Sequence, residues 1–363
     1  MFFRTTVLCI FAFFAFDSLG DQFRDPSNPV LASYLVSPET EFVMNEIAKK
    51  FEVTKKLPDG TFEVILPAAK VKELLQLDPD AIQIEADIAD VFRRAEKASP
   101  GILKKFYTYA GVEDEVKKLA ESYPSIAKYE VYGKSKQGRN LFALKISDNV
   151  ATDENEPELL ISGATHGNEI EGTEVVMKAI RALVTNYGKD QRLTKIVNDH
   201  EIFFVPTLNA DGYASRSRYD NGVDPNREYA WPEQPNYVPK AASITAIVSF
   251  FHSHNFAGSM DLHSSGGLVM YPWAYTHDPV PEADKKIFES LGRKMAEPLG
   301  YEVGPISDII YIAPGSSADY YYWKKHTLGF GIELNDSFAM NKEAFQEELD
   351  GTVEMTWKFI ESF

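Results

Sequence analysis

Cysteine is almost absent from this chain of 363 residues, and the single one, Cys9, lies in an apolar stretch near the N-terminus. If that stretch is removed from the mature protein, disulfides and thiolate metal ligands are both excluded. Any metal site must then use His, Asp and Glu. Stability must come from apolar burial and from bound metal.

Positive charge is also in short supply, with 37 Lys and Arg against 54 Asp and Glu and a net charge of -17. This excess of negative charge argues against nucleic acid or an anionic membrane as the main partner. No run beyond the N-terminal stretch is long and apolar enough to span a bilayer. The hydrophobic content of 44% is ordinary for a globular protein. We expect this protein to be a monomer.

Residues 1–20 predict a secretory signal peptide. Arg4 gives a short positive start, an apolar run from Val7 to Phe16 follows, and Ser18 and Gly20 are small residues suited to a cleavage site. The run is too short to span a bilayer comfortably, so a non-cleaved anchor is the weaker alternative. We expect export to an extracellular or periplasmic space.

Residues from about 31 to 90 predict a small α+β domain with the element order βαββαβ, which is typical of a split βαβ sandwich. Its strands are predicted at 32–36, 51–54, 61–66 and 82–85, and its helices at 38–50 and 68–77. The basic link that follows, from about residue 90 to residue 104, could be cut by a trypsin-like protease. A solvated helix end is an equally good interpretation of this link.

The rest of the chain alternates short apolar strands with amphipathic helices. Strands are predicted at 159–163, 202–206, 259–262 and 329–333, and helices at 171–184, 242–252, 283–299, 317–325 and 342–362. This alternation predicts an α/β fold with a mostly parallel mixed sheet and helices on both faces. Ligand sites in such sheets form beyond the carboxyl ends of the strands.

Four short segments carry side chains suited to a zinc hydrolase, and we expect each at or just after a strand end. They are His166–Glu169, Asp224–Arg227, Asp261–Ser264 and Gly331–Leu334. Two imidazoles and one carboxylate bind Zn²⁺ and leave a position for water. A lone His-x-x-Glu is often a helix start and a lone His is often a core residue, so the combination carries the prediction.

In order and rough spacing, these segments resemble those of the zinc metallocarboxypeptidases of the carboxypeptidase A/B family. Further segments are similar to the family's Asn-Pro-Asp-Gly turn, with Ala210 replacing proline, and to its mobile tyrosine loop, at Ile310–Asp319. The resemblance covers residues from about 105 to 363. A set of motifs in the expected order is far more specific than one pattern.

The resemblance implies one zinc ion held by His166, Glu169 and His263. It implies that Glu333 is the general base, which takes a proton from water and returns it to the leaving amine. Asp224 would accept a hydrogen bond from the far nitrogen of His166 and fix its tautomer.

The remaining implied roles concern substrate binding. Arg218 would stabilise the oxyanion, with Arg216 as a competitor because the interval to Asn226 is one residue shorter than in the family. Asn226 and Arg227 would bind the terminal carboxylate of a peptide or protein substrate, and Tyr311 would close over the bound residue.

The resemblance places Ala318 at the bottom of the side-chain pocket, with uncharged walls formed by Ile306, Met270, Ala274 and Ala313. A large apolar or aromatic C-terminal residue should fit there. Asp261 and Asp308 lie close in sequence to pocket segments, so a preference for a basic residue stays open.

Secreted members of this family commonly carry an inhibitory pro-domain. The resemblance therefore implies a pro-domain and linker at residues 21–99, a catalytic domain at 100–363, and activation by a trypsin-like protease. One rival is another zinc hydrolase, acting on N-acyl amino acids or murein peptides. A second rival is a secreted binding protein that has lost turnover.

Overall fold

A computed structural model describes residues 30–57, 59–86, 106–335 and 342–363. The predicted signal peptide, the basic link and the boundary between residues 99 and 100 lie outside the described residues. Within the described part of the chain, no helix combines the length and the apolar character needed to cross a membrane.

The N-terminal unit has the predicted order βαββαβ. Its elements are β1 (Leu31–Val36), α1 (Glu41–Lys50), β2 (Glu52–Lys56), β3 (Phe62–Pro67), α2 (Val71–Leu77) and β4 (Ile82–Glu85), with a 3-10 turn at Ala68–Lys70. The sheet order is β2-β3-β1-β4, and every pair is antiparallel. Met44, Ile47 and Leu74 on the helices pack with apolar strand residues in a small core.

The main unit is built on an eight-stranded sheet with the order β11-β10-β12-β9-β7-β8-β6-β5. Its strands are β5 (Ala127–Lys134), β6 (Asn140–Ile146), β7 (Glu158–Gly163), β8 (Glu201–Val205), β9 (Phe256–Ser264), β10 (Leu268–Tyr271), β11 (Glu302–Pro305) and β12 (Leu328–Leu334). The central strands β8, β7, β9 and β12 pair in parallel. Strand β6 pairs antiparallel with β8 and with β5, and β10 pairs antiparallel with β12. The predicted mixed, largely parallel sheet is confirmed.

Helices cover both faces of this sheet, as predicted. They are α3 (Tyr109–Ser122), α4 (Ile170–Asn186), α5 (Gln191–Asn198), α6 (Ala210–Ser215), α7 (Ala242–Ser253), α8 (Glu282–Ala296), α9 (Ile306–Ile309), α10 (Ser317–Lys325) and α11 (Lys342–Ile360). Helices α3, α4, α5, α8 and α11 enclose one apolar core, and α7 encloses a second core with aromatic residues of α10.

The parallel centre of the sheet brings three of the four chemically interesting segments to one edge. His166 follows the end of β7, His263 lies near the end of β9, and Glu333 lies near the end of β12, in register with His263. The expectation for the fourth segment was wrong. Asp224–Arg227 follows no strand; it lies in the long connection between α6 and α7, where Pro225–Arg227 forms a single 3-10 turn.

Candidate active site

Two imidazoles and one carboxylate converge at the carboxyl ends of β7 and β9. Nδ1 of His166 lies 2.8 Å from Oε1 of Glu169 and 3.2 Å from Nδ1 of His263, and the latter atom lies 2.9 Å from Oε2 of Glu169. All three residues are buried. Zinc bonds of about 2.0 to 2.2 Å in a tetrahedron separate ligand atoms by about 3.3 Å, so this donor set fits one zinc ion.

A tight turn between β7 and α4 places His166 beside Glu169. Helix α4 begins directly after Glu169. Gly167 lies between the two side chains, and a Cβ atom there would lie only 2.0 Å from the carbonyl carbon of Gly212. Glycine is needed at position 167 because the turn packs directly against the backbone of α6.

An aspartate contacts the far side of each imidazole. Oδ1 of Asp224 lies 3.1 Å from Nε2 of His166, and Oδ2 of Asp261 lies 3.2 Å from Nε2 of His263. A carboxylate in this position fixes the tautomer and leaves the other ring nitrogen to bind a metal. The sequence pattern did not predict this position of Asp261. The available signal was its spacing of two residues from His263, since such residues share one face of a strand.

The carboxylate of Asp261 is fully engaged within the protein. It accepts hydrogen bonds from Oγ of Ser162 at 2.8 Å, Oγ1 of Thr165 at 2.8 Å and Oγ of Ser317 at 3.0 Å. These bonds connect β7, β9 and the start of α10 behind the metal-binding side chains. Asp261 is therefore not available to pair with a basic substrate side chain.

The electrostatics of this cluster keep its carboxylates ionised. Burial alone would raise the pKa of Asp224, but Arg218 and His166 outweigh it and hold this pKa well below its usual range. Burial likewise opposes ionisation of Glu169, and the two histidines outweigh it and lower its pKa. Glu169 is therefore held in the deprotonated form that a metal ligand requires.

Arg218 and Arg216 point to different places. Arg218 is buried at the cavity, with Nε 3.1 Å from Oδ2 of Asp224 and one guanidinium nitrogen 3.5 Å from Oε1 of Glu169. Arg216 instead donates to the carbonyl of Tyr107 at 2.6 Å and covers the ring of Tyr213. Only Arg218 of the two lines the cavity above the metal-binding side chains.

The same cavity contains Glu333 and a cationic group for binding anions. Glu333 and Arg227 line it together with Asn226 and Tyr311. Arg227 donates to the hydroxyl of Tyr311 at 3.0 Å, and the amide oxygen of Asn226 accepts from the backbone N–H of Ser317 at 3.2 Å. The amide and guanidinium groups are thus held beside the metal-binding side chains.

One part of the cavity is apolar. Its lining includes Met270, Ile306, Ala313 and Ala318. Ala274, which was expected in this wall, packs behind these residues in the same apolar cluster and has no exposed surface. Asp308 is exposed and lies 2.8 Å from Nδ1 of His277, so it is not part of the cavity lining among the described residues.

The N-terminal unit reaches the mouth of this cavity. Val53 and Lys56, both on β2, are part of the cavity lining. Tyr311 packs against the apolar core of the N-terminal unit. Outside the cavity, Oε1 of Glu41 lies 3.2 Å from Nε2 of His277. Strand β2 and Tyr311 therefore connect the small unit to the cavity.

Solved structures with a similar backbone define the fold class. Carboxypeptidase A from Helicoverpa armigera has a TM-score of 0.76 at 18% identity and covers 93% of this chain and 99% of its own. Thrombin activatable fibrinolysis inhibitor has a TM-score of 0.72 at 16% identity and covers 92% and 98%. At these identities the likeness shows the fold alone, an α/β fold of the zinc carboxypeptidase type.

Sequence comparison gives the family. Residues 112–358 match the family described as Zinc carboxypeptidase. Rat carboxypeptidase A2 is 24% identical, covering 93% of this chain and 92% of its own length, and mouse carboxypeptidase A4 is 26% identical, covering 69% and 68%. Mouse carboxypeptidase D is 31% identical, but the match covers only 20% of its length. The chain belongs to the zinc carboxypeptidase family, a family of metallocarboxypeptidase hydrolases.

Proposed function

We propose that this chain is a secreted zinc metallocarboxypeptidase that releases single, large apolar or aromatic residues from the C-termini of peptides and proteins. One observation carries this proposal: Arg227, Glu333 and the buried set His166, Glu169 and His263 all line a single cavity that has an apolar side. A site of this kind combines an anion-binding group, a general base and a metal-binding centre around one substrate terminus.

Peptide hydrolysis would begin with a proton transfer to Glu333. One zinc ion, held by His166, Glu169 and His263, would supply Lewis acidity and lower the pKa of a bound water to about 7. Glu333 would accept the proton of the attacking water and later deliver it to the leaving amine. Asp224 would keep the imidazole of His166 in the tautomer that presents Nδ1 to the metal.

Arg218 and Arg227 would have separate roles in this reaction. Arg218, held by Asp224 beside the ligand set, would donate hydrogen bonds to the oxyanion that develops on the scissile carbonyl. Arg227 and Asn226 would bind the free carboxylate of the substrate. Tyr311, already within 3.0 Å of Arg227, would cover the bound terminal residue with its ring and hydroxyl.

The shape and charge of the pocket support the preference for apolar residues. Ala318 has little side chain of its own and leaves room at the end of the pocket, and its neighbours Met270 and Ile306 are apolar. Of the acids that could have favoured Lys or Arg, Asp261 is engaged in the protein and Asp308 pairs with His277 at the surface.

The position of the N-terminal unit supports a zymogen. We assign residues 1–20 to a signal peptide, 21–99 to an inhibitory pro-domain and linker, and 100–363 to the catalytic domain. Val53 and Lys56 line the cavity together with Glu333 and Arg227, so the N-terminal unit would compete with a substrate terminus for this space. A trypsin-like protease would cut the basic link between Arg94 and Lys105 and release this unit.

The proposal is tested by measuring cleavage of short peptides that end in Phe, Lys or Phe-amide. The proteins are the enzyme freed of its N-terminal unit, called the trimmed enzyme, and the Arg227→Gln variant of it. The trimmed enzyme should release Phe at least about tenfold faster than Lys, since burial of a large apolar side chain contributes about 1.5 to 3 kcal/mol. Arg227→Gln should lower kcat/KM for the Phe peptide by about 10- to 150-fold, because a hydrogen bond to a charged group contributes about 1.5 to 3 kcal/mol.

The amidated peptide is the matched control, because it lacks the charge that Arg227 would bind. It should be a poor substrate for both proteins, with little difference between them. Equal cleavage of the free and amidated peptides would contradict a carboxypeptidase. A clear preference for terminal Lys would leave the reaction intact and contradict only the assigned pocket.

A further inference from the structure

An acidic loop lies at the edge of the main sheet opposite the candidate active site. The loop connects β6 to β7 and ends at Glu158, the first residue of β7. Glu201 is the first residue of the parallel strand β8 and is paired in register with Glu158. His166 follows the other end of β7, so the length of this strand separates the two places.

Six carboxylates meet at this edge in two adjoining groups. In the first group, Asp153, Glu158 and Glu201 each bring a carboxylate oxygen within 4.8 Å of the others. The second group has the same spacing and consists of Asp148, Glu154 and Glu156. The two groups adjoin because the backbone N–H of Glu154 donates to Oε1 of Glu201 at 3.1 Å.

Glu201 differs from the carboxylates of an ordinary acidic surface because it is buried. Its side chain is 1% exposed, and its Oε2 atom is buried with no hydrogen-bond partner among the described residues. The Oε2 atoms of Glu154 and Glu156 are also buried, and no residue that the structure describes donates to them. A buried carboxylate oxygen without a donor is costly, and a bound cation removes that cost.

The positive groups that face the cluster do not balance it. Lys145 lies 2.7 Å from Oε1 of Glu201 and also donates to the carbonyl of Thr152. His254 lies 2.6 Å from Oε1 of Glu158. Lys128 lines a second cavity, at this edge of the sheet, together with Asp153 and Glu201, and lies 3.5 Å from Glu130. Lys145 and His254 thus reach Oε1 of Glu201 and of Glu158, and Lys128 reaches Oε2 of Glu130. Within the described part of the chain, no positive group donates to Oε2 of Glu201, Glu154 or Glu156.

We propose that this loop and Glu201 form a calcium-binding site, separate from the catalytic metal. Its donors are oxygens, and Ca²⁺ takes six to eight oxygen ligands at about 2.3 to 2.6 Å in flexible geometry. Mg²⁺ demands a smaller octahedron and retains its waters, and Zn²⁺ favours nitrogen and sulfur. Calcium bound here would tie the loop before β7 to the starts of β7 and β8.

The test uses the full chain with stoichiometric zinc, in buffer freed of calcium. Calcium chloride is titrated by calorimetry, and thermal unfolding is followed with calcium or magnesium. We expect a calcium Kd between about 10⁻⁵ and 10⁻³ M. At a calcium concentration about 100 times Kd, Tm should rise by about 3 to 6 °C, and magnesium at the same concentration should give a smaller shift.

Two variants and one control assign the effect to this loop. Glu201→Gln and Asp153→Asn should each weaken calcium binding by about tenfold or more, because each removes a charged ligand. Glu302→Gln, which changes an exposed carboxylate on β11, should bind calcium as the unmodified chain does. Glu201→Gln loses the charged contact to Lys145. If this variant unfolds, Asp153→Asn alone tests the calcium site, because Asp153 is exposed.

The proposal is overturned if calcium produces neither heat nor a Tm shift up to about 10 mM, well above the weakest affinities of natural calcium modules. It is also overturned if magnesium acts equally, since that result indicates charge screening. It is overturned as well if Asp153→Asn binds calcium with unchanged affinity, whether or not Glu201→Gln binds calcium.

Discussion

At the scale of single residues, each candidate zinc-binding imidazole is held between a carboxylate at one ring nitrogen and a carboxylate at the other. Glu169 faces both Nδ1 atoms, while Asp224 and Asp261 face the Nε2 atoms. Each ring is therefore fixed in orientation before any metal arrives. Binding to such a preorganised set costs little rearrangement of the protein.

The Glu333→Gln variant tests the general base. We expect kcat to fall by about 10²- to 10⁴-fold, because glutamine keeps the shape of the side chain and cannot accept a proton. Zinc content should not change, since Glu333 lies outside the ligand set. The measurement is release of a C-terminal residue from a peptide, with the metal content determined on the same sample.

Glu302→Gln, an exposed substitution on the neighbouring part of the sheet, is the matched control and should retain full activity. If Glu333→Gln kept more than a tenth of the activity, another group would have to serve as the base, and the assignment of Glu333 would be wrong.

The sequence is sufficient to predict the candidate metal-binding side chains. His166, Glu169 and His263 were named from spacing and resemblance, and the structure gathers them around one point. Asp261 was misjudged because closeness in sequence to a pocket segment says nothing about the direction of a side chain. That direction depends on the pairing of β9 with its neighbours.

At the scale of secondary structure elements, the four central parallel strands of the sheet were predicted and the strands that flank them were not. Strand β7 was predicted at 159–163 because an unbroken apolar run indicates burial on both faces. No strand was predicted for β5, whose register shifts between Val131 and Gly133 and whose burial is mixed. Strands β10 and β11 have four residues each, too few for a periodic pattern.

The sequence pattern also did not predict the structure of the connection that contains Asp224. The expectation placed this segment after a strand, whereas a short 3-10 turn and contacts with Arg218 and His166 position it. Such tertiary contacts join residues that are distant in the chain, and local periodicity does not contain them.

Release of the N-terminal unit should activate the enzyme. Limited trypsin treatment should raise kcat/KM by about tenfold or more, since a tethered segment competes with substrate at an effective concentration in the mM range. Strand β2 supplies the competing side chains at the cavity entrance. The measurement is C-terminal residue release before and after treatment, with cleavage confirmed by mass spectrometry.

A chain in which the basic residues of the link are replaced by glutamine is the matched control and should resist both cleavage and activation. The residues to replace are Arg93, Arg94, Lys97, Lys104 and Lys105. An intact chain as active as the trimmed one would contradict the zymogen.

At the scale of the whole molecule, a buried carboxyl should make stability fall as the pH rises. Burial raises the pKa of Glu348, on α11, to about 7. Between about pH 4.5 and 7 the folded chain keeps a proton that the unfolded chain loses, so rising pH favours unfolding. The shift corresponds to a loss on the order of 3 kcal/mol across this window.

Glu348→Gln should remove most of that loss, because glutamine resembles the protonated acid and can still accept from the backbone N–H of Asn335. The measurement is the free energy of unfolding in urea at about pH 5 and pH 8 for both zinc-saturated proteins. Effects of pH on the histidines are common to both chains and cancel in the comparison. An equal pH dependence in the two proteins would contradict the burial effect.

The central claim is that His166, Glu169 and His263 bind one zinc ion on which hydrolysis depends. The most direct measurement is the zinc content of the purified chain and of a folded His263→Ala variant, by mass spectrometry of the metal. We predict one zinc ion per unmodified chain and less than about a tenth of that in the variant, because two protein ligands do not make a stable site. Equal zinc content in the two proteins would contradict the account.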